Sequence, residues 1–197
     1  MNLETFFSST LIIENESILL RPLNIQDIDK IESISYSKQL GEFGARVHNR
    51  NDLADYFNFC LNSKRDKVLY PLIILKKETH DPVGLTMFGN ISFQNKRLEI
   101  GWTWIGEKFQ GTGINKICKG LLLDYCFDIL DLRRVEFKID INNLKSQKAI
   151  EKLGAIKEGL LRNYNIQSYG RSKGTYVYSI LKEEWKIQTG ISFVKDE

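Results

Sequence analysis

The chain has 197 residues, 42% of them hydrophobic, with 28 basic and 25 acidic side chains and a formal charge of +3. That length suits one domain with a substantial core, and so small a net charge argues for neither a nucleic-acid nor an anionic-membrane partner. No run approaches the roughly 18 apolar residues of a membrane helix, and Met1-Asn-Leu-Glu4 carries an acid where a signal peptide would be basic.

Residues 1–16 show no clear period. Ser17-Ile-Leu-Leu-Arg-Pro-Leu23 reads as a first strand, ended by Pro22, which cannot donate to a ladder. Asn24 can cap a helix with Ile25, Ile28, Ile31 and Ile34 on one face. Gly41 and Gly44 break the chain. Asn51 or Asp52 then caps a second helix, with Leu53, Tyr56, Phe57, Cys60 and Leu61 on one side and an end near Asn62-Ser63. Val68–Leu75 is a strongly apolar strand, Thr79–Pro82 a turn, and Val83–Phe93 a further strand in which Gly84 and Gly89 suit bulges.

Asn95-Lys-Arg97 turns into a strand that carries Glu99 and runs through Trp102, Thr103, Trp104 and Ile105. Gly106 to Lys116 follows as a glycine-bearing turn. An apolar helix then runs to about Leu130, with Ile114, Ile117, Leu121, Leu122, Tyr125 and Ile129 on one face. Gly111 and Gly113 allow a tight turn, and the free N–H groups and dipole of a helix start favour an anion such as a pyrophosphate. Gln110, Gly111, Thr112, Gly113, Ile114 and Asn115 would cradle it with main-chain donors, and Lys116 would add charge. The bland reading is an ordinary strand-to-helix connection, with Lys116 simply solvated. Neither nucleotide fingerprint is present: G-x-G-x-x-G needs glycine where Lys116 stands, and no Gly-Lys pair forms a P-loop.

Arg133–Asp140 alternates Val135, Phe137 and Ile139 with polar residues, so one face is buried. Asn142 or Asn143 caps a short helix whose Leu144, Ile150 and Leu153 face the core, and Gly154 closes it. Ala155–Ile166 and Gly174–Leu181 are two closing strands joined by the turn Ser168–Arg171. A short piece starts at Glu183-Glu-Trp-Lys186, with a tail beyond Ile187. Cys118 and Cys126 lie eight apart on one helix, about 12 Å along its axis. That is too far for a disulfide. With Cys60 they fit reduced thiols in the cytoplasm. His48 and His80 are the only histidines, and without a C-x-x-C they make no zinc site.

The order β-α-α-β-β-β-α-β-α-β-β, with Gln110-Gly-Thr-Gly113-Ile-Asn115 opening the third helix, resembles the GNAT superfamily of acetyl-CoA-dependent N-acetyltransferases. Its pyrophosphate motif, [Gln/Arg]-x-x-Gly-x-[Gly/Ala], is matched at Gln110 and Gly113 and departs at Asn115. The block Asp140-Ile-Asn-Asn143-Leu-Lys-Ser146…Leu153-Gly154-Ala155 is similar to the Asn-x-x-Ser…Leu-Gly helix of the Rim-type branch. That branch includes enzymes acetylating ribosomal-protein N-termini. Leu20-Arg-Pro-Leu23, Glu158-Gly-x-Leu-Arg162 and Tyr178-Ser-Ile-Leu…Glu184-Trp185 match the branch's opening and closing strands.

The resemblance implies an α/β (α+β) GNAT fold: a mixed, mostly antiparallel twisted sheet of about seven strands, helices on both faces, splayed between strands four and five. It implies a single domain over 1–197 with its core at about 17–186. It implies acetyl-CoA as co-substrate, no metal, and direct attack of an amine on the thioester. The acceptor would be a protein N-terminus, or alternatively a small amine such as an aminoglycoside or polyamine. A non-catalytic acyl-CoA-binding domain is the alternative of another class. Trp102, Thr103, Trp104 and Ile105 would offer backbone donors to the thioester oxygen. Glu99 would accept the amine proton directly or through water, or is a strand-end residue or a substrate binder. Ser146 would protonate the departing thiolate, and Asn143 would bind the pantetheine amides; both could instead cap their helix. Tyr164 and Tyr178 would reach the cleft or fill the core, and the exposed strands of the closing hairpin allow a homodimer.

Overall fold

The computed structural model describes residues 1–35, 47–166 and 172–189. Gly41, Gly44 and the Ser168–Arg171 turn lie outside the described residues. The chain forms one eight-stranded sheet: β1 (Ile13–Glu14), β2 (Ile18–Pro22), β3 (Leu69–Lys76), β4 (Pro82–Ser92), β5 (Arg97–Ile105), β6 (Arg134–Asp140), β7 (Ile156–Ile166) and β8 (Ser172–Leu181). Their order is β1-β2-β3-β4-β5-β6-β8-β7. All neighbours are antiparallel except β5 and β6. The expected count of about seven becomes eight because Ile13 and Glu14 pair with Leu20 and Leu19. Two residues are too few to show a period.

The helices are α1 (Leu3–Ser8), α2 (Ile28–Ser35), α3 (Arg50–Arg65), α4 (Ile114–Asp124), α5 (Leu144–Glu151) and α6 (Lys182–Thr189). Helix α1 falls where no period was read. It is stabilised by tertiary packing: Phe6 is fully buried against Tyr70, Phe88 and Phe93, with ring centroids 5.1, 6.2 and 5.5 Å away. Asn24 caps a 3-10 turn leading into α2, reciprocally with Asp27, as a capping box does. Ile31 is buried as expected, but Ile25 is exposed. Helix α3 starts two or three residues earlier than a cap at Asn51 or Asp52 would place it, and it runs past Asn62-Ser63 to end at Arg65. Asn49 caps it through Asp52 N–H, while Asp52 accepts from His48 N–H. Gly154 closes the turn after α5 at φ 87°, but Leu144 points outward at 63% exposure.

The sheet separates two apolar layers. One includes Leu98, Ile100, Val135, Phe137 and Ile139 under α4; the other includes Leu85, Met87 and Trp104 with Leu53, Phe57 and Cys60 of α3. Within α4 and the π-helical turn Tyr125–Ile129, the buried face is Cys118, Lys119, Leu122, Leu123, Cys126 and Phe127. The expected face was turned by about one residue, since Ile117 and Ile129 are exposed. Strand β7 is exposed along nearly its whole length at the sheet edge. No helix among the described residues is long and apolar enough to cross a membrane.

Candidate active site

The parallel ladder between β5 and β6 runs only through Arg97–Arg134, Leu98–Val135 and Glu99–Glu136. Beyond Glu99 the two strands part, as expected between the fourth and fifth of the strands read from sequence. The bend is local. Trp102 takes φ 51°, a left-handed value that a tryptophan rarely adopts, and the β4–β5 register slips between Leu85 and Met87. Gly89 matters here, because a Cβ on it would come within 2.6 Å of the Trp102 ring.

The loop after β5 closes the wide end of this opening. Gln110 Nε2 donates to Ile105 C=O at 3.1 Å, and Thr112 Oγ1 to Phe109 C=O at 2.7 Å. Gly111 and Gly113 hold φ of 75° and 85° with open space around them, so conformation rather than crowding calls for glycine. The first intrahelical donors are Lys116 and Ile117, both to Gly113 C=O. The amides before them therefore point out of the helix start, where an anion is favoured. Asn115 Oδ1 is buried without a hydrogen-bond partner. Turned by half a revolution, that amide presents Nδ2, a donor, toward the same place. Lys116 is exposed. Lys145 of α5 reaches Gln110 Oε1 at 2.7 Å and ties the loop to the next helix. These donors fit a pyrophosphate.

Glu99 is not a solvated strand end. It is 4% exposed, and its Oε2 accepts from Asn90 Nδ2 at 2.5 Å and Lys138 Nζ at 2.7 Å. Its other oxygen lies 3.2 Å from where a Gly101 Cβ would stand, so a side chain there would crowd it. Burial pulls the Lys138 ammonium down, but the hydrogen bond and charge of Glu99 outweigh it and leave Lys138 above its ordinary value. The Tyr164 ring lies 5.7 Å from Lys138 Nζ. Because Leu98 and Ile100 face the α4 layer, Glu99 faces the opposite side.

At the start of α5, Asn143 Oδ1 accepts from Ser146 N–H at 3.0 Å, so the capping role holds for this pair. Ser146 is half-buried. Tyr178 is core, its hydroxyl donating to Glu151 at 3.0 Å, whereas Tyr164 is exposed. Cys118 and Cys126 are buried and free, and burial drives both thiols up, Cys118 to about 12, which leaves neither suited to nucleophilic work.

Four further residues were missed by the sequence reading. Asn90, Lys138 and Lys145 sit in ordinary polar positions of their elements and gave no signal. Lys119 gave one: it interrupts the apolar face of Cys118, Leu122, Leu123 and Cys126 at helical spacing. Its Nζ reaches Thr103 Oγ1 at 2.5 Å, and Thr103 Oγ1 lies 2.8 Å from Thr86 Oγ1.

The model of the acetyltransferase (GNAT) domain matches residues 17–156. The chain is 38% identical over 112 residues to "Uncharacterized N-acetyltransferase p20" of Bacillus licheniformis. It is 33% identical over 103 residues to "Putative ribosomal N-acetyltransferase YdaF" of Bacillus subtilis. These stretches cover 57% and 52% of this chain, which spans 62% and 55% of the relatives' own lengths. A crystal structure of a GCN5-related N-acetyltransferase from Brucella melitensis superposes with a TM-score of 0.82 at 22% identity, covering 93% of this chain and 86% of that one; at that identity the likeness is one of fold.

Proposed function

Because the chain belongs to the GNAT acetyltransferase family, we propose that it moves the acetyl group of acetyl-CoA to an amine by direct attack, with a protein N-terminal α-amine as the first acceptor class. Residues 1–197 then act as one domain with its core at about 17–186, working in the cytoplasm. The observation that carries the reading is the opening between β5 and β6 beyond Glu99, with the glycine loop at one end and a buried carboxylate beside it.

In this reading the amides from Gln110 to Asn115 hold the pyrophosphate, with Lys116 adding charge from the exposed side. Asn143 binds pantetheine amides, and the backbone of Trp102, Thr103, Trp104 and Ile105 meets the thioester. Glu99 takes the amine proton, directly or through water, on the oxygen that Asn90 and Lys138 leave open. Ser146 protonates the departing sulfur. An α-amine, with its reference value near 7.7–8.0 against 10.4 for lysine, needs only modest help to become a nucleophile. The Bacillus subtilis relative, named as a "Putative ribosomal N-acetyltransferase", supports the same acceptor class.

Calorimetric titration with acetyl-CoA tests the donor, with ATP and NADH as controls. Selective binding at about −8 kcal/mol, a micromolar constant, is expected. No heat from acetyl-CoA with a folded chain removes the reading. Release of CoA is then followed with peptides, aminoglycosides and polyamines. A preference for a small amine would reassign the acceptor, and binding without turnover would leave an acyl-CoA-binding domain.

A further inference from the structure

Helix α4 buries a lysine that the transfer chemistry above does not use. Lys119 is 4% exposed. Its Nζ lies 2.5 Å from Thr103 Oγ1 on β5 and 5.8 Å from the centre of the Phe137 ring on β6. The ammonium therefore reaches both strands where they separate, on the α4 side of the sheet. Thr103 passes the contact on to Thr86 of β4, and both hydroxyls lie 3.4 Å from Gly101 C=O. This small network underlies the Trp102 bend.

No carboxylate among the described residues comes within ion-pairing distance of Lys119. The titratable groups that act on it are Cys118 and Cys126 on its own helix and turn, and Glu99 on β5. The thiols are driven up by burial and stay neutral. Glu99 faces the other side of the sheet, held by Lys138 of β6 and Asn90 of β4. β4 offers only the Thr86 hydroxyl. A buried ammonium with a hydroxyl in place of a counter-ion is costly, and burial pushes Lys119 down to about 8. A core that needed only packing would be served by leucine or methionine.

Resting on the acetyl-CoA reading, we propose that Lys119 is a positioning residue of the transfer step, holding Thr103 and the β5 bend and setting a positive field in the opening between β5 and β6. The amine nitrogen bonds to the carbonyl carbon and the carbonyl pair moves onto oxygen. Its return breaks the carbon–sulfur bond, and sulfur leaves with the electron pair. The amine proton goes to Glu99, directly or through water, and Ser146 passes a proton to the sulfur and regains one from solvent. Lys119 keeps its proton throughout and lowers the energy of each negative charge in turn.

The test is an ultraviolet titration of the thiol of CoA bound to the full chain, wild type against Lys119→Met. Below about pH 8, where Lys119 is charged, the wild-type bound thiol should carry roughly ten times the thiolate of free CoA at the same pH. Lys119→Met should return it to the free value and lower kcat about tenfold, less than the roughly 10²–10³ lost with a donor that touches the developing charge directly. It should also abolish the fall in rate above about pH 8 that deprotonation of Lys119 causes in the wild type. Thr103→Val should reproduce the loss in kcat. A bound thiol that titrates like free CoA in the wild type overturns the proposal whatever the variants do. So does a displacement that survives Lys119→Met. If CoA does not bind the wild type at all, the acetyl-CoA reading itself falls, and this inference with it.

Discussion

Two lysines reach the opening between β5 and β6 from opposite faces of the sheet, and they are treated in opposite ways. Lys138 alternates with the inward Phe137 and Ile139, faces away from α4, and meets Glu99 at 2.7 Å. Its charge has a counter-charge and its ammonium is held above the ordinary value. Lys119 comes down from α4 on the other face, donates to the Thr103 hydroxyl beside the Phe137 ring, and is pushed below its ordinary value to about 8. One face holds a neutralised pair, the other an uncompensated cation. A folding requirement alone accounts for the first arrangement and not for the second. In the proposed reaction the difference would separate proton handling on the face of Glu99 from charge stabilisation on the face of α4.

The most severe break in this comparison is Glu99→Gln. The amide keeps the shape and a contact to Asn90 but cannot take a proton. Turnover should fall by about 10²–10³, with acetyl-CoA binding by calorimetry unchanged within a few-fold. A variant that turns over at the wild-type rate would show that Glu99 only anchors Lys138.

Applying one substitution to both lysines sharpens the comparison, because the expected signs differ. Lys138→Met leaves a buried carboxylate with Asn90 as its remaining donor, and should destabilise the fold by about 2–3 kcal/mol in denaturant titration. Lys119→Met removes a charge that folding buries at a cost. The folded value of about 8 lies below the unfolded 10.5, so between those pH values the unfolded chain binds more protons and stability rises with pH. The cost of the charged form is complete below about pH 8 and gone above about 10.5. Set against one lost hydrogen bond, Lys119→Met should stabilise the protein by about 2 kcal/mol at pH 7 and destabilise it by about 1 kcal/mol near pH 11. Destabilisation at pH 7 would make Lys119 a packing residue.

The elements around this site were readable in the sequence because each carried its own local signal. Val135, Phe137 and Ile139 alternate, Gly154 ends a helix, and Gly111 and Gly113 mark a loop that turns on positive φ. The parting of β5 from β6 was expected from family resemblance, since no residue type announces it. Lys119 escaped because a face chosen by counting apolar residues rejects lysine. The spacing of Cys118, Leu122 and Cys126 with Leu123 and Phe127 was there to be read, and it includes position 119. Leu144 failed for the opposite reason, being apolar and yet at the first, solvent-facing position of α5. Asn49, Asn51 and Asp52 can all cap a helix. Asp52 lies three residues after Asn49 and accepts from His48 N–H, which fixes the start at Asn49. Helix α1 depends on Phe6 finding Tyr70, Phe88 and Phe93, contacts too distant in sequence to be seen locally.

The smallest expected effect lies at the start of α5, and there two neighbouring residues divide what sequence left joined. Asn143 Oδ1 is committed to Ser146 N–H, so Asn143→Ala removes a cap and should cost about 1 kcal/mol of stability. The Ser146 hydroxyl plays no part in that bond, because its backbone N–H is the donor. Ser146→Ala should therefore leave thermal stability unchanged within about 0.5 kcal/mol. As general acid to the sulfur, Ser146 should lose only about tenfold in kcat on this change, since a thiolate departs readily and Lys119 already favours its charge. The decisive reading is the pair of variants below about pH 8, where Lys119 of the parent carries its charge. With Lys119→Met in place the sulfur has lost its field, so adding Ser146→Ala should cost more than it does alone. A double variant whose losses simply multiply would mean that the two residues act on different steps.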